Sequence, residues 1–265
     1  MSQFIDDTRV TKAAEGHYKG RLSGVWSIGT NPNGGYAMTP IMRAMADAAG
    51  QPDPLSVTAH FLRPGVGDAD LDIHTEVIRA GRTATTVRGT LVQEDKARLT
   101  MLATYGDLSQ PQGIDGHFAP AVPDIPPLEE CVHRSKLDQG VDVPLLKVTD
   151  IYLRPEDAVC DPAKEALIAG WVRLTDGTEP DVFSLPYFVD AFPPSPITRV
   201  PNVGWVPTME FTVQIRARPA PGWLRGRFHC DDLQGGRVVE SGILWDSTGA
   251  VVARSRQMAL VLRKD

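Results

Sequence analysis

The chain has 265 residues, 42% of them hydrophobic and 23% charged, with a net charge of −6. That composition excludes a disordered or fibrous protein, and no apolar run reaches the ~18 residues of a membrane span, so no membrane insertion is expected. An acidic balance without a basic block argues against nucleic acid as a partner, and an N-terminus lacking a signal pattern predicts a cytoplasmic protein.

Along the chain the same plan runs twice. Asn33-Gly34-Gly35-Tyr36 opens a helix carrying Met38, Met42, Met45 and Ala49 near helical spacing, and Gly50-Gln51-Pro52 ends it. Strands are predicted over Leu55 to Arg63, Leu71 to Arg79, Thr83 to Gln93 and Arg98 to Tyr105, with a hairpin turn at Glu94-Asp95-Lys96. Residues 109–145, rich at first in Pro, Gly and Asp, read as a linker between units spanning 1–108 and 146–265. Ala169 to Leu174 reads as a strand, and Asp181 to Phe192 as a second, largely apolar helix closed by Pro193-Pro194. Strands follow at Thr208 to Ala217, Trp223 to Cys230, Val238 to Trp245 and Ala250 to Arg263, with a turn at Asp246-Ser247-Thr248-Gly249. Met209, Phe211, Val213 and Ile215 alternate with polar neighbours, the period of a half-buried strand. Two helix-plus-sheet units predict an α+β protein with duplicated domains.

Several chemistries lack their motifs. No GxSxG elbow, HExxH pair, GxxxxGK[ST] loop or GxGxxG turn is present, the six histidines are scattered, and no metal or organic cofactor is expected. Cys131, Cys160 and Cys230 have no CxxC spacing and read as reduced structural thiols.

The run His60-Phe61-Leu62-Arg63-Pro64-Gly65, followed by Glu76-Val77-Ile78-Arg79-Ala80-Gly81-Arg82, resembles the first half of the acyl-CoA thioesterase II enzymes, where a like run follows a Gly-Gly helix start. Ser255-Arg256-Gln257-Met258 is similar to the family's closing strand. The resemblance implies a double hotdog, two tandem helix-wrapped antiparallel sheets, that hydrolyses acyl-CoA to free acid and CoA. CoA then enters only as part of the substrate, and the protein is expected to form a homo-oligomer. Carried over, the family's catalytic groups become Asp190, Thr208 and Gln257, with Thr212 the alternative hydroxyl, four residues on in the same phase.

The residues bear on these assignments separately. Asp190 sits in an apolar stretch, Phe188-Val189-Asp190-Ala191-Phe192, where a carboxylate needs partners or a polar cleft. Gln257 is in phase with Val251, Ala253 and Ala259, so its amide is expected to face the helix. Thr208 falls on the polar face of its strand, and only the resemblance selects it. A backbone N–H near a helix start could hold a developing oxyanion, and Gly35 is the natural choice. Counting from Pro40 and Pro186 places Ala44 opposite Asp190, which leaves the first half without a base. Two rivals stand beside hydrolysis. A hydratase or dehydratase would need a helix histidine that neither helix has, and a non-catalytic acyl-binding module would need none of the three side chains.

Overall fold

The computed structural model describes residues 2–110, 113–114, 118–201 and 203–262. In the first half a short helix α1 (Gln3–Asp7) precedes strands β1 (Thr11–Ala14), β2 (His17–Leu22), β3 (Ser27–Ile28) and β4 (Asn31–Pro32). Helix α2 (Gly34–Ala49) and strands β5 (Asp53–Phe61), β6 (Ala69–Ala80), β7 (Thr85–Gln93) and β8 (Lys96–Gly106) complete it. The second half holds β9 (Val132–His133), β10 (Thr149–Leu153), β11 (Leu167–Leu174), α3 (Leu185–Asp190), β12 (Thr208–Ile215), β13 (Leu224–Gln234), β14 (Arg237–Trp245) and β15 (Val251–Leu260). Arg263, the expected end of the last strand, lies outside the described residues. Among the described residues no helix is long and apolar enough to cross a membrane.

The expectation of two tandem sheets is corrected. Among the described residues thirteen strands form one antiparallel sheet in the order β1-β2-β6-β7-β8-β5-β12-β15-β14-β13-β11-β10-β9, while β3 and β4 pair only with each other. The order reads alike outward from its centre, where β5 and β12 pair through Glu210↔His60 to Gln214↔Ser56. Each of these strands would otherwise be an edge with unpaired N–H and C=O groups, and joining the edges satisfies both. Arg218, just beyond β12, reinforces the seam by donating to Asp53 at the start of β5, at 3.0 and 2.8 Å.

Helix α2 forms where the composition placed it. The Asn33 side chain accepts from Tyr36 N–H at 2.9 Å as the N-cap, and Gly50 ends the helix in the left-handed region at φ 62°. From Gly35 to Met42 every residue is buried, as in a helix wrapped on all sides. Pro40 lies in the interior, whereas Pro186 sits in the first turn of α3. The second helix is far shorter than the sequence suggests. Asp181 and Ser184 bond each other reciprocally at 2.9 and 2.7 Å to make a turn, and helix begins only at Leu185. The helix ends at Asp190, and Pro193-Pro194 three residues on keep it from continuing, because proline cannot supply a helical N–H. Strands β1, β2, β9 and β10, all short and toward the sheet's ends, went unread in the sequence; β9 falls within the segment read as linker.

Candidate active site

Asp190 ends α3 where that helix meets the N-terminus of α2. Its Oδ2 accepts the Gly35 N–H at 2.9 Å, and its backbone carbonyl accepts from Asn33 Nδ2 at 2.9 Å. Asn33 therefore caps α2 and clamps the end of α3 with one amide. On the other side the buried Arg134 donates to the Ala191 carbonyl and, at 3.0 Å, to Gln139. Burial pushes the Asp190 carboxyl up, to about 7. The Gly35 and Gly34 N–H groups and the Arg134 cation pull against it, while the Glu240 carboxylate adds to the rise. Burial also lowers the Arg134 guanidinium, to about 10.

Gly35 does not face an open oxyanion position, as its place at a helix start suggested. Its N–H is committed to Asp190, because the two helix ends are in direct backbone contact there.

Thr208 reaches the cavity by a route that simple alternation cannot show. The register between β12 and β15 slips between Thr208 and Glu210, a β-bulge centred on Met209. Phe211, Val213 and Ile215 face the core, and an unbroken strand would put Thr208 on the opposite face. The extra residue turns it inward, opposite the buried Ala259, and leaves Met209 exposed. Thr208 Oγ then donates to Gln257 Oε1 at 2.9 Å. Thr212 keeps the polar phase and bonds Glu210 at 2.7 Å and Thr58 at 3.0 Å.

Gln257 lies opposite Phe211 on the core face of β15, in phase with Ala253 and Ala259 as its sequence predicts. Its Nε2 donates at 2.7 Å to Glu240, a buried carboxylate that reasoning from sequence missed. The signal was present. Glu240 shares the phase of Val238, Gly242 and Leu244, an acid among core-facing residues of β14. Arg134 and Ser195 were also missed, with nothing local in the sequence to mark them, and Asn33 was read as a helix start but not as a clamp on Asp190.

Asp190, Thr208, Gln257 and Glu240 line one cavity of about 290 Å³, between α2, α3 and the sheet. Its remaining wall is largely apolar, with Leu22, Phe61, Leu99, Phe192, Phe228 and Leu260 among the contributors. Polar groups thus converge at one part of an apolar hollow, the general form of a small-molecule pocket, in which a few polar groups fix orientation.

Residues 22–106 match the family described as "Acyl-CoA thioesterase N-terminal domain", and residues 120–261 match "Acyl-CoA thioesterase C-terminal domain". The chain belongs to the acyl-CoA thioesterase II-like family. A crystal structure from Thermobifida fusca YX, of a protein assigned as a thioesterase II, is similar at 32% identity over 99% of this chain and 98% of that one, with a TM-score of 0.89. A protein of unknown function with a hot dog fold from Alicyclobacillus acidocaldarius superimposes over 100% of both chains at 19% identity and a TM-score of 0.85, a likeness of fold alone. The thioesterase-like protein TwmA of Talaromyces wortmannii is 25% identical across 98% of this chain and 92% of its own. Membership of the acyl-CoA thioesterase II-like family gives the hotdog fold and supports thioesterase activity.

Proposed function

We propose that this protein hydrolyses a fatty acyl-CoA to the free acid and CoA in the cavity that Asp190, Thr208 and Gln257 share. The observation that carries the reading is their convergence. Three residues from α3, β12 and β15 line one largely apolar hollow, and two of them are hydrogen-bonded to each other. The apolar wall receives the acyl chain, and the thioester carbonyl comes to rest at the polar end.

Water is the nucleophile. Asp190 takes its proton as the oxygen attacks the carbonyl carbon, and Thr208 and Gln257 hold that water in line. Collapse of the tetrahedral intermediate breaks the C–S bond and releases CoA as a thiolate. That leaving group is stable enough to need little acid assistance. A base titrating near 7 is half ionised at neutral pH, which suits it to proton transfer there. Turnover is therefore expected to rise as pH increases through about 7 and to level off above.

CoA release from acyl-CoAs of short to long chain tests the reading, and absence of turnover on all of them by folded protein would sink it. The two threonines give a sharper comparison in the same assay. Thr208→Val should lower kcat about tenfold, the rate equivalent of one hydrogen bond worth about 1.4 kcal/mol. Thr212→Val, on the outer face of the sheet, should leave kcat near that of the wild type. Equal effects from both changes would remove Thr208 from the site.

A further inference from the structure

Glu240 lines the cavity but has no part in the hydrolytic reading. It is 5% exposed and stands on β14 directly opposite Gln257 of β15 on one side and Cys230 of β13 on the other. Its close partners are all donors. Ser195 gives Oε1 both its backbone N–H, at 2.7 Å, and its hydroxyl, at 2.6 Å, while Gln257 Nε2 donates to Oε2 at 2.7 Å.

An ionised carboxylate can only accept, and that restriction propagates. It holds the NH₂ end of the Gln257 amide toward Glu240, so Oε1 must face Thr208. Thr208 has one proton and donates it to that oxygen at 2.9 Å. Its lone pairs are then left for a water in the cavity, and Gln257 keeps a second N–H. With the amide reversed, Gln257 would donate to Thr208, and the threonine would turn its own proton toward the cavity.

We propose that Glu240, braced by Ser195, is a positioning residue that sets the direction of the hydrogen bonds through Gln257 to Thr208 and makes Thr208 an acceptor for the attacking water. This rests on the hydrolytic reading of the same cavity. Besides Gln257 and Ser195, the charges of Asp190 from α3 and of His229 and Cys230 from β13 act on Glu240, His229 from the outer face of the sheet. Burial raises the Glu240 carboxyl, and its Ser195 and Gln257 donors, with His229, oppose that rise. Protonation would let Glu240 donate to the amide oxygen and reverse the chain, so this polarity depends on pH.

The test is Glu240→Gln, which keeps shape and keeps an acceptor for Ser195 but sets one NH₂ against another at Gln257. The amide should flip, lowering kcat about 10- to 100-fold at nearly unchanged KM and with no loss in melting temperature. The double variant Glu240→Gln with Gln257→Glu restores donor against acceptor, and Thr208 can again donate, so it should be measurably more active than the single variant yet stay below wild type, because the carboxylate lacks the second N–H of Gln257. A merely structural residue would lower the melting temperature as well and would not be rescued by the exchange.

A second readout does not depend on turnover. The Gln257 side-chain amide signals in a ¹⁵N–¹H spectrum, identified by their absence in Gln257→Glu, should move with pH in the wild type and be displaced in Glu240→Gln. Wild-type kcat in the single variant, or a double variant no more active than the single one, overturns the proposal, as do amide signals indifferent to both pH and Glu240→Gln. Signals that respond as expected in a protein that cleaves no acyl-CoA would uphold the polarity assignment and overturn the hydrolytic reading instead.

Discussion

Asp190→Asn is expected to lower kcat for acyl-CoA hydrolysis by about 10²- to 10⁴-fold, the range that a positioned base contributes. The substitution changes little else. An Asn oxygen can still accept the Gly35 N–H, and the backbone clamps from Asn33 and Arg134 do not involve the side chain. KM should therefore stay near the wild-type value, and the rise of rate with pH through about 7 should vanish. A variant that retains full turnover would keep the reaction and remove Asp190 from it.

The same change should make the protein more stable at alkaline pH. The folded-state carboxyl titrates near 7 against an ordinary value of 3.8, so the folded state binds this proton more tightly than the unfolded chain does. Stability from this group is fully present below 3.8 and is lost as pH rises through about 7. The neutral Asn escapes that loss. Allowing for the partial solvent access of Asp190, the gain over wild type should reach about 1–3 kcal/mol at pH 8 and shrink toward zero at pH 4. Urea unfolding of both proteins at the two pH values measures it. A constant difference between them would mean that Asp190 titrates normally.

Gly35→Ala is expected to cost about 3 kcal/mol or more, the upper end of overpacking penalties. A Cβ at Gly35 would lie 2.1 Å from the Pro186 carbonyl oxygen and 2.8 Å from Tyr187 Cα. Both are backbone atoms of α3, so no side chain can swing away, and the two helix ends must separate. The helix-propensity gain of alanine over glycine, about 1 kcal/mol, is too small to offset this. Separation would also draw the Gly35 N–H away from Asp190, so any folded fraction should be catalytically impaired. Gly50→Ala provides the contrast. Gly50 has φ 62°, but a Cβ there would meet nothing within 4 Å, and the loss should be only about 1–2 kcal/mol. Equal unfolding midpoints for the two variants would contradict the helix-contact argument.

Much of this protein is legible in the chain by itself. The Asn33 cap and Gly50 stop fix α2, and strand-like runs bounded by turn residues, with period-two alternation clearest in β12, place β5 to β8 and β11 to β15 within a few residues, because these signals arise from neighbours in sequence. Gln257 could be placed on the core face for the same reason, its strand being regular around it. Asp190 stood out as an acid in an apolar run, and Glu240 carried that same signal unread.

Tertiary structure decided the rest. The single sheet exists because β5 and β12 pair across 154 residues of sequence, as between Thr58 and Thr212, and neither strand's own pattern names its partner. Thr208 turns inward because β12 slips one residue against β15, a register that only the pairing defines. Gly35 lost its expected role because α3 arrives on its N–H from 155 residues away, and Arg134 and Ser195 enter the site from segments with no local pattern at all. Local chemistry specifies the elements and which faces are apolar. The polarity of the site depends on hydrogen bonds between segments remote in sequence, whose geometry exists only once the sheet has closed around the helices.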